Sequence, residues 1–130
     1  MEFVFDIRNM TRGNIPRLPF KRMAAEILPK HYELSLCLCG DALSRRINRT
    51  YRKKAYAPNV LTFPLGKGSG EIFLNVRKAE HEAKVFGSPS RDRIALLFVH
   101  GCFHLLGLKH GPNMERREKQ TLRKFGFKAV

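Results

Sequence analysis

The 130-residue chain reads as one domain of mixed strands and helices, and three observations predict it. Four short stretches are rich in alternating or β-favouring residues, and five longer ones carry helical periodicity. One of those five, Ile94 to Leu106, is apolar nearly all round, which marks it as the buried centre of a domain. Repeats, linkers and low-complexity tracts are absent, and the length suffices for one hydrophobic core.

Taken in order, residues 2–8 alternate polar and apolar and form the first expected strand, followed by a loop hinged at Gly13. From about Pro16 to Leu28, the residues Leu18, Met23, Ala24 and Ile27 share a helical stripe that Pro29 stops. Glu33 to Cys39 is the second strand. Asp41 is the expected N-cap of a helix to about Tyr51, on which Leu43, Ile47 and Tyr51 are four apart. A basic connector, Arg52 to Asn59, leads to short strands at Val60–Phe63 and Glu71–Asn75. Pro64 to Gly70 joins them as a tight reversal. It contains Gly66-Lys67, but Leu61 stands where a phosphate-binding loop needs its first glycine, so it is a turn only. A helix from about Val76 to Val85 follows. Ser88-Pro89-Ser90 opens the long apolar helix, with Ser88 as cap, Pro89 in the first turn and Asp92 at the positive end of the dipole. A last, basic helix runs from Pro112-Asn113 to about Phe125.

No apolar run approaches the roughly 20 residues that span a membrane. The N-terminus carries acids early and lacks the basic-then-apolar pattern of a signal peptide, so a cytoplasmic location is expected. Cys37, Cys39 and Cys102 cannot all pair and lie in apolar segments; reduced, buried thiols are expected.

The apolar helix ends in His100-Gly101-Cys102-Phe103-His104-Leu105-Leu106-Gly107-Leu108-Lys109-His110, that is, H-x3-H-x2-G-x2-H. Two histidines four apart share one helix face. Gly107 ends a helix in a left-handed turn and lets the chain swing a third imidazole back toward them. Three imidazoles on one point make a catalytic-type zinc site with one position open. Cys102, two residues from each helical histidine, points to the opposite face and into the core. Certain zinc peptidases share the spacing but carry Glu after the first histidine as general base; here Gly101 stands there, so the motif predicts the metal and not proteolysis.

Charge narrows the substrate. Lys plus Arg is 25 against 11 acids, a net +14, and such a field attracts polyanions, nucleic acid first. Membrane binding is not expected, because no basic amphipathic helix stands apart from the fold. The run Arg45, Arg46, Arg49, Arg52, Lys53 and Lys54 is the densest cationic stretch, suited to holding RNA backbone. With a metal that activates water, the natural substrate is a phosphodiester.

The segment His100–His110 resembles the metal motif of the YbeY-like rRNA-maturation endoribonucleases. Asn48-Arg49-Thr50-Tyr51-Arg52, Asn59-Val60-Leu61-Thr62-Phe63-Pro64, Gly70-Glu71-Ile72, and Met114-Glu115 with Glu118 follow in family order, so the likeness runs from about Ile47 to Leu122. The resemblance implies an α+β fold, a small mixed four-stranded sheet packed with about five helices. It further implies a zinc-dependent, single-strand-specific endoribonuclease in 16S rRNA 3′-end maturation and ribosome quality control. One Zn2+ per chain would be held by His100, His104 and His110, with His100 and Arg52 as the catalytic candidates. The implied partners are pre-rRNA, the small ribosomal subunit, and ribosomal proteins or an assembly GTPase. Glu115, the nearest carboxylate after the ligands, is a candidate to orient an imidazole or a water, set against the plainer reading of a solvated helix residue. Leu108 and Lys109 replace the family's Tyr-Asp before the third histidine, which removes an acid that could support a ligand. Two other readings follow: a non-catalytic RNA-binding assembly factor with a structural metal, and a zinc peptidase-like hydrolase.

Overall fold

In the computed structural model, which describes residues 3–128, β1 (Val4–Asn9), β2 (Glu33–Cys39), β3 (Val60–Pro64) and β4 (Ser69–Asn75) form one mixed sheet in the order β1-β2-β4-β3. β1 runs parallel to β2 and β2 parallel to β4, whereas β3 pairs antiparallel to β4, with Thr62 opposite Ile72. Alternation puts Leu34, Leu36, Leu38, Ile72 and Leu74 on one face, all nearly inaccessible. The apolar helix α4 (Ser90–Leu106) packs on that face and buries Ile94, Phe98, Val99 and Phe103. Flanking it are α1 (Phe20–Ile27), α3 (Val76–Phe86) and α5 (Pro112–Lys124). Phe98 sits under edge-on contacts from Phe5 and Phe20. The remaining helix, α2 (Asp41–Arg52), lies against the opposite side of β3 and β4. The expected four strands and five helices are all present.

Several boundaries differ, each for a physical reason. The first strand is Val4–Asn9 and not 2–8; Glu2 lies outside the described residues. α1 begins four residues later than Pro16, at Phe20, with Pro19 at the cap position. Proline disfavours helical backbone in the residue before it, so Leu18 stays outside the helix yet still joins the core. Asp41 is the first helical residue of α2 rather than its cap; its carboxylate accepts from Asn75 Nδ2 at 2.8 Å. Ser88 does not cap α4: the helix starts after Pro89, and the Ser88 hydroxyl is buried with no hydrogen-bond partner among the described residues.

All three cysteines are free and buried. Burial pushes the Cys102 thiol far up and Cys39 up to about 12, the latter helped by Cys37 and Asp41. Among the described residues no helix is long and apolar enough to cross a membrane.

Candidate metal centre

α4, the helix with the most buried residues, delivers the site, so its side chains start from a fixed backbone. Its last turn closes at Gly107 (φ 101°), whose N–H donates to His104 O, while the Leu108 N–H donates to Phe103 O. That left-handed closure reverses the chain, and His110 returns from the turn before α5 to face the helical pair. One ring nitrogen from each of His100, His104 and His110 lies within 4.8 Å of the others, and the Nε2 atoms of His100 and His104 are 3.0 Å apart. Metal–nitrogen bonds of about 2.0–2.1 Å in a tetrahedron separate ligand nitrogens by roughly 3.4 Å, a spacing these side chains reach by small rotations. The three histidines are positioned to hold a metal ion.

The protonation pattern agrees with that. Oε2 of Glu118, a buried carboxylate on α5, lies 2.5 Å from His100 Nδ1. A carboxylate only accepts, so Nδ1 carries the hydrogen and Nε2, the atom facing His104, keeps its lone pair. Histidines that bind metals use this arrangement. His104 is held below the usual histidine range by burial, then by the charges of His100 and His110, with Glu118 acting in the opposite sense. That shift favours the neutral imidazole, the form that can ligate a cation.

The supporting carboxylate is thus Glu118 and not Glu115, which is exposed one turn earlier. A signal for it was available: Met114, Glu118, Thr121 and Leu122 form the buried stripe of α5, and a carboxylate at a stripe position needs a partner inside. Lys109, where the resemblance leads one to expect an acid, is exposed.

The imidazoles open into a cleft of about 450 Å³ lined also by Arg52, Asn59, Val60 and Thr62. Arg52 is the last residue of α2, and Lys53 ends the helix in a left-handed conformation (φ 59°). The segment after it is pinned by side-chain hydrogen bonds that no spacing in the sequence announces. Asn48 Nδ2 donates to Tyr56 O at 2.9 Å and Ser44 Oγ to Pro58 O at 2.8 Å. Asn59 Nδ2 donates to Glu82, which also accepts from Arg93 Nε at 2.9 Å, tying the cleft wall to α3 and α4. Arg45, Arg46, Arg49, Lys53 and Lys54 are exposed and do not line this cleft; among the described residues none of them has an acid within 4 Å.

Gly101 has a packing reason. A methyl group there would lie 3.2 Å from both Ile72 Cδ1 and Thr62 Cγ2, tighter than ordinary van der Waals contact. Any side chain there requires Ile72 or Thr62 to give way.

The model of the endoribonuclease YbeY family matches residues 13–126. The chain belongs to that family. Endoribonuclease YbeY of Bordetella petrii is 42% identical over 95 residues, 69% of this chain and 61% of that protein. The namesake from Solibacter usitatus is 40% identical over 88 residues, 67% of this chain and 58% of that protein. In these two comparisons the chain spans about three-fifths of the relatives' length. The protein of the same name from Helicobacter pylori strain Shi470 is 34% identical over 123 residues, covering 91% of this chain and 87% of the relative. In fold, the solution structure of a Thermotoga maritima protein superposes with a TM-score of 0.68 at 22% identity, over 91% of this chain and 86% of that one.

Proposed function

We propose that the protein is a zinc-dependent endoribonuclease that cuts single-stranded RNA in the 3′-end maturation of 16S rRNA and in ribosome quality control. The observation that carries the reading is the sharing of one cleft by the three imidazoles and Arg52. Its relatives' name, endoribonuclease, supports the reaction class. When bound, a zinc ion supplies Lewis acidity toward water and a phosphodiester oxygen. His100, His104 and His110 would hold it, with Glu118 keeping His100 in the tautomer that leaves Nε2 free.

Arg52 offers a planar donor fork matched to two non-bridging phosphate oxygens, and it stabilises charge that develops there in the transition state. The unpaired cations of α2 and its end, Arg45, Arg46, Arg49, Lys53 and Lys54, hold flanking phosphates. Each contact adds about 0.7 to the steepness of the log–log salt dependence on a single strand. Ribosomal proteins or an assembly GTPase would act beside the RNA in the cytoplasm. The test is cleavage of a labelled single-stranded RNA by wild type and Arg52→Ala, with and without chelator. Chelator-sensitive cleavage that drops by 10²-fold or more in the variant agrees with the proposal, by analogy with loss of one transition-state donor. Equal cleavage by both contradicts it.

One observation favours a second reading, an RNA-binding assembly factor with a structural metal. Leu108 and Lys109 stand where the family carries Tyr-Asp before the third ligand, so an acid that could support that ligand in catalysis is missing. Full rescue by Arg52→Ala of a strain lacking its own such factor would select that reading. The peptidase reading has no such support, because Gly101 stands where the general base would be.

A further inference from the structure

Across strand β3 from the metal cleft, α2 leaves a second cleft of about 570 Å³ open against β3 and β4. Its walls include Leu43, Arg46, Tyr51, Phe63, Glu71 and Phe73. The helical stripe of Leu43, Ile47 and Tyr51 lines this opening, and Tyr51 is 70% exposed. Its ring meets Phe63 edge to face at 5.6 Å, and Phe63 meets Phe73 in the same way at 5.9 Å. Tyr51 is therefore braced from one side and accessible from the other.

A lone exposed tyrosine is ordinary; its surroundings are not. Arg46 shares the cleft, and Arg45, Arg49, Arg52, Lys53 and Lys54 are exposed on the same helix and its end, without an acidic partner within 4 Å among the described residues. Tyr51 lines this cleft and the next residue, Arg52, lines the metal cleft. Likewise Phe63 faces this side of β3 and Thr62 the other. β3 is an edge strand of the sheet, so one chain can pass over it from cleft to cleft. Glu71, on the wall, accepts from the amino or imino N–H of a base edge, and a purely aliphatic occupant would leave it unpaired.

We propose that this cleft takes an unpaired base of single-stranded RNA, stacked on Tyr51, while a neighbouring phosphate lies with Arg52 in the metal cleft. The proposal rests on the endoribonuclease reading and names where its substrate is gripped beyond the reacting phosphate. An aromatic ring stacks on any base, so the grip is tolerant of sequence and selective for unpaired strands, whose base faces are free.

The test is an anisotropy titration of a fluorescein-labelled single-stranded RNA with the full chain, as wild type, Tyr51→Ala and Tyr51→Phe, with melting curves to verify folding. Tyr51→Ala weakens binding by about 5- to 150-fold, the equivalent of the 1–3 kcal/mol a base–aromatic stack contributes. Tyr51→Phe, which keeps the ring, binds as wild type does, and Tyr51→Ala raises KM more than it lowers kcat. Tight binding by wild type together with equal binding by Tyr51→Ala overturns the proposal and leaves the cleft to a protein ligand. A loss in Tyr51→Phe as large as in Tyr51→Ala overturns stacking. If wild type binds no single-stranded RNA, the functional reading beneath the proposal fails with it.

Discussion

Glu118→Gln removes one negative charge from behind His100 and changes almost nothing else in volume. The carboxylate is buried and lies 2.5 Å from Nδ1, so the bond is charge-assisted and little screened by solvent. Hydrogen bonds to charged groups contribute about 1.5–3 kcal/mol, and losing the partner behind a metal ligand typically weakens affinity 10- to 100-fold, about 1.4–2.7 kcal/mol. The two estimates agree, so the variant should bind zinc about 10- to 100-fold more weakly. Fold stability should move far less, because glutamine keeps an acceptor and removes a buried charge. Competition against a chromogenic chelator gives the affinity, and thermal melting of the metal-free protein checks the fold. Glu115→Gln is the control: its carboxylate is exposed and its affinity should match wild type. Unchanged affinity in Glu118→Gln, or an equal loss in Glu115→Gln, would refute the assignment of the supporting carboxylate.

Other outcomes follow from the same structure. Because His104 is held below its free value, the unfolded chain binds more protons on the acid side. Stability of the metal-free protein is therefore fullest above about pH 6.5 and declines as pH falls below it. Urea midpoints at pH 7.5 and 5.5 check this, and a smaller drop in His104→Gln assigns it. Gly101→Ala gains about 1 kcal/mol of helix propensity but overpacks against Ile72 and Thr62 at a cost of about 1–3 kcal/mol, so a lowered melting temperature is expected. Gly101→Glu should not fold stably; a folded Gly101→Glu would contradict the packing account. The thiols of Cys37, Cys39 and Cys102, buried and with raised pKa values, should react with a thiol reagent only on unfolding.

Much of this was legible in the sequence, for identifiable reasons. α4 was legible because apolarity on all sides leaves a helix no solvent face, and the return of His110 because Gly107 breaks the helix where a left-handed turn is needed. Element ends were less legible. Ser88 and Asp41 carry capping side chains, yet Pro89 and Gly40 hold the cap positions. Glu118 was passed over because nearness along the chain favoured Glu115, whereas burial on the α5 stripe decides which carboxylate reaches inward. Asn48 and Asn59 stand in the family-like stretches, but the bonds they and Ser44 make have no local signal, since the partners lie 8 to 23 residues away and are set by tertiary packing. The stripe through Tyr51 is periodic in the sequence, but periodicity carries no information on whether its groove is filled.

The central claim is that one metal ion on three histidines, next to Arg52, cuts RNA. The most direct measurement is metal content together with cleavage of single-stranded RNA for wild type and His104→Ala, both verified as folded. The account predicts about one zinc per wild-type chain with chelator-sensitive cleavage, and loss of both in the variant. Metal-free wild type that still cleaves, or equal cleavage by His104→Ala, would contradict it.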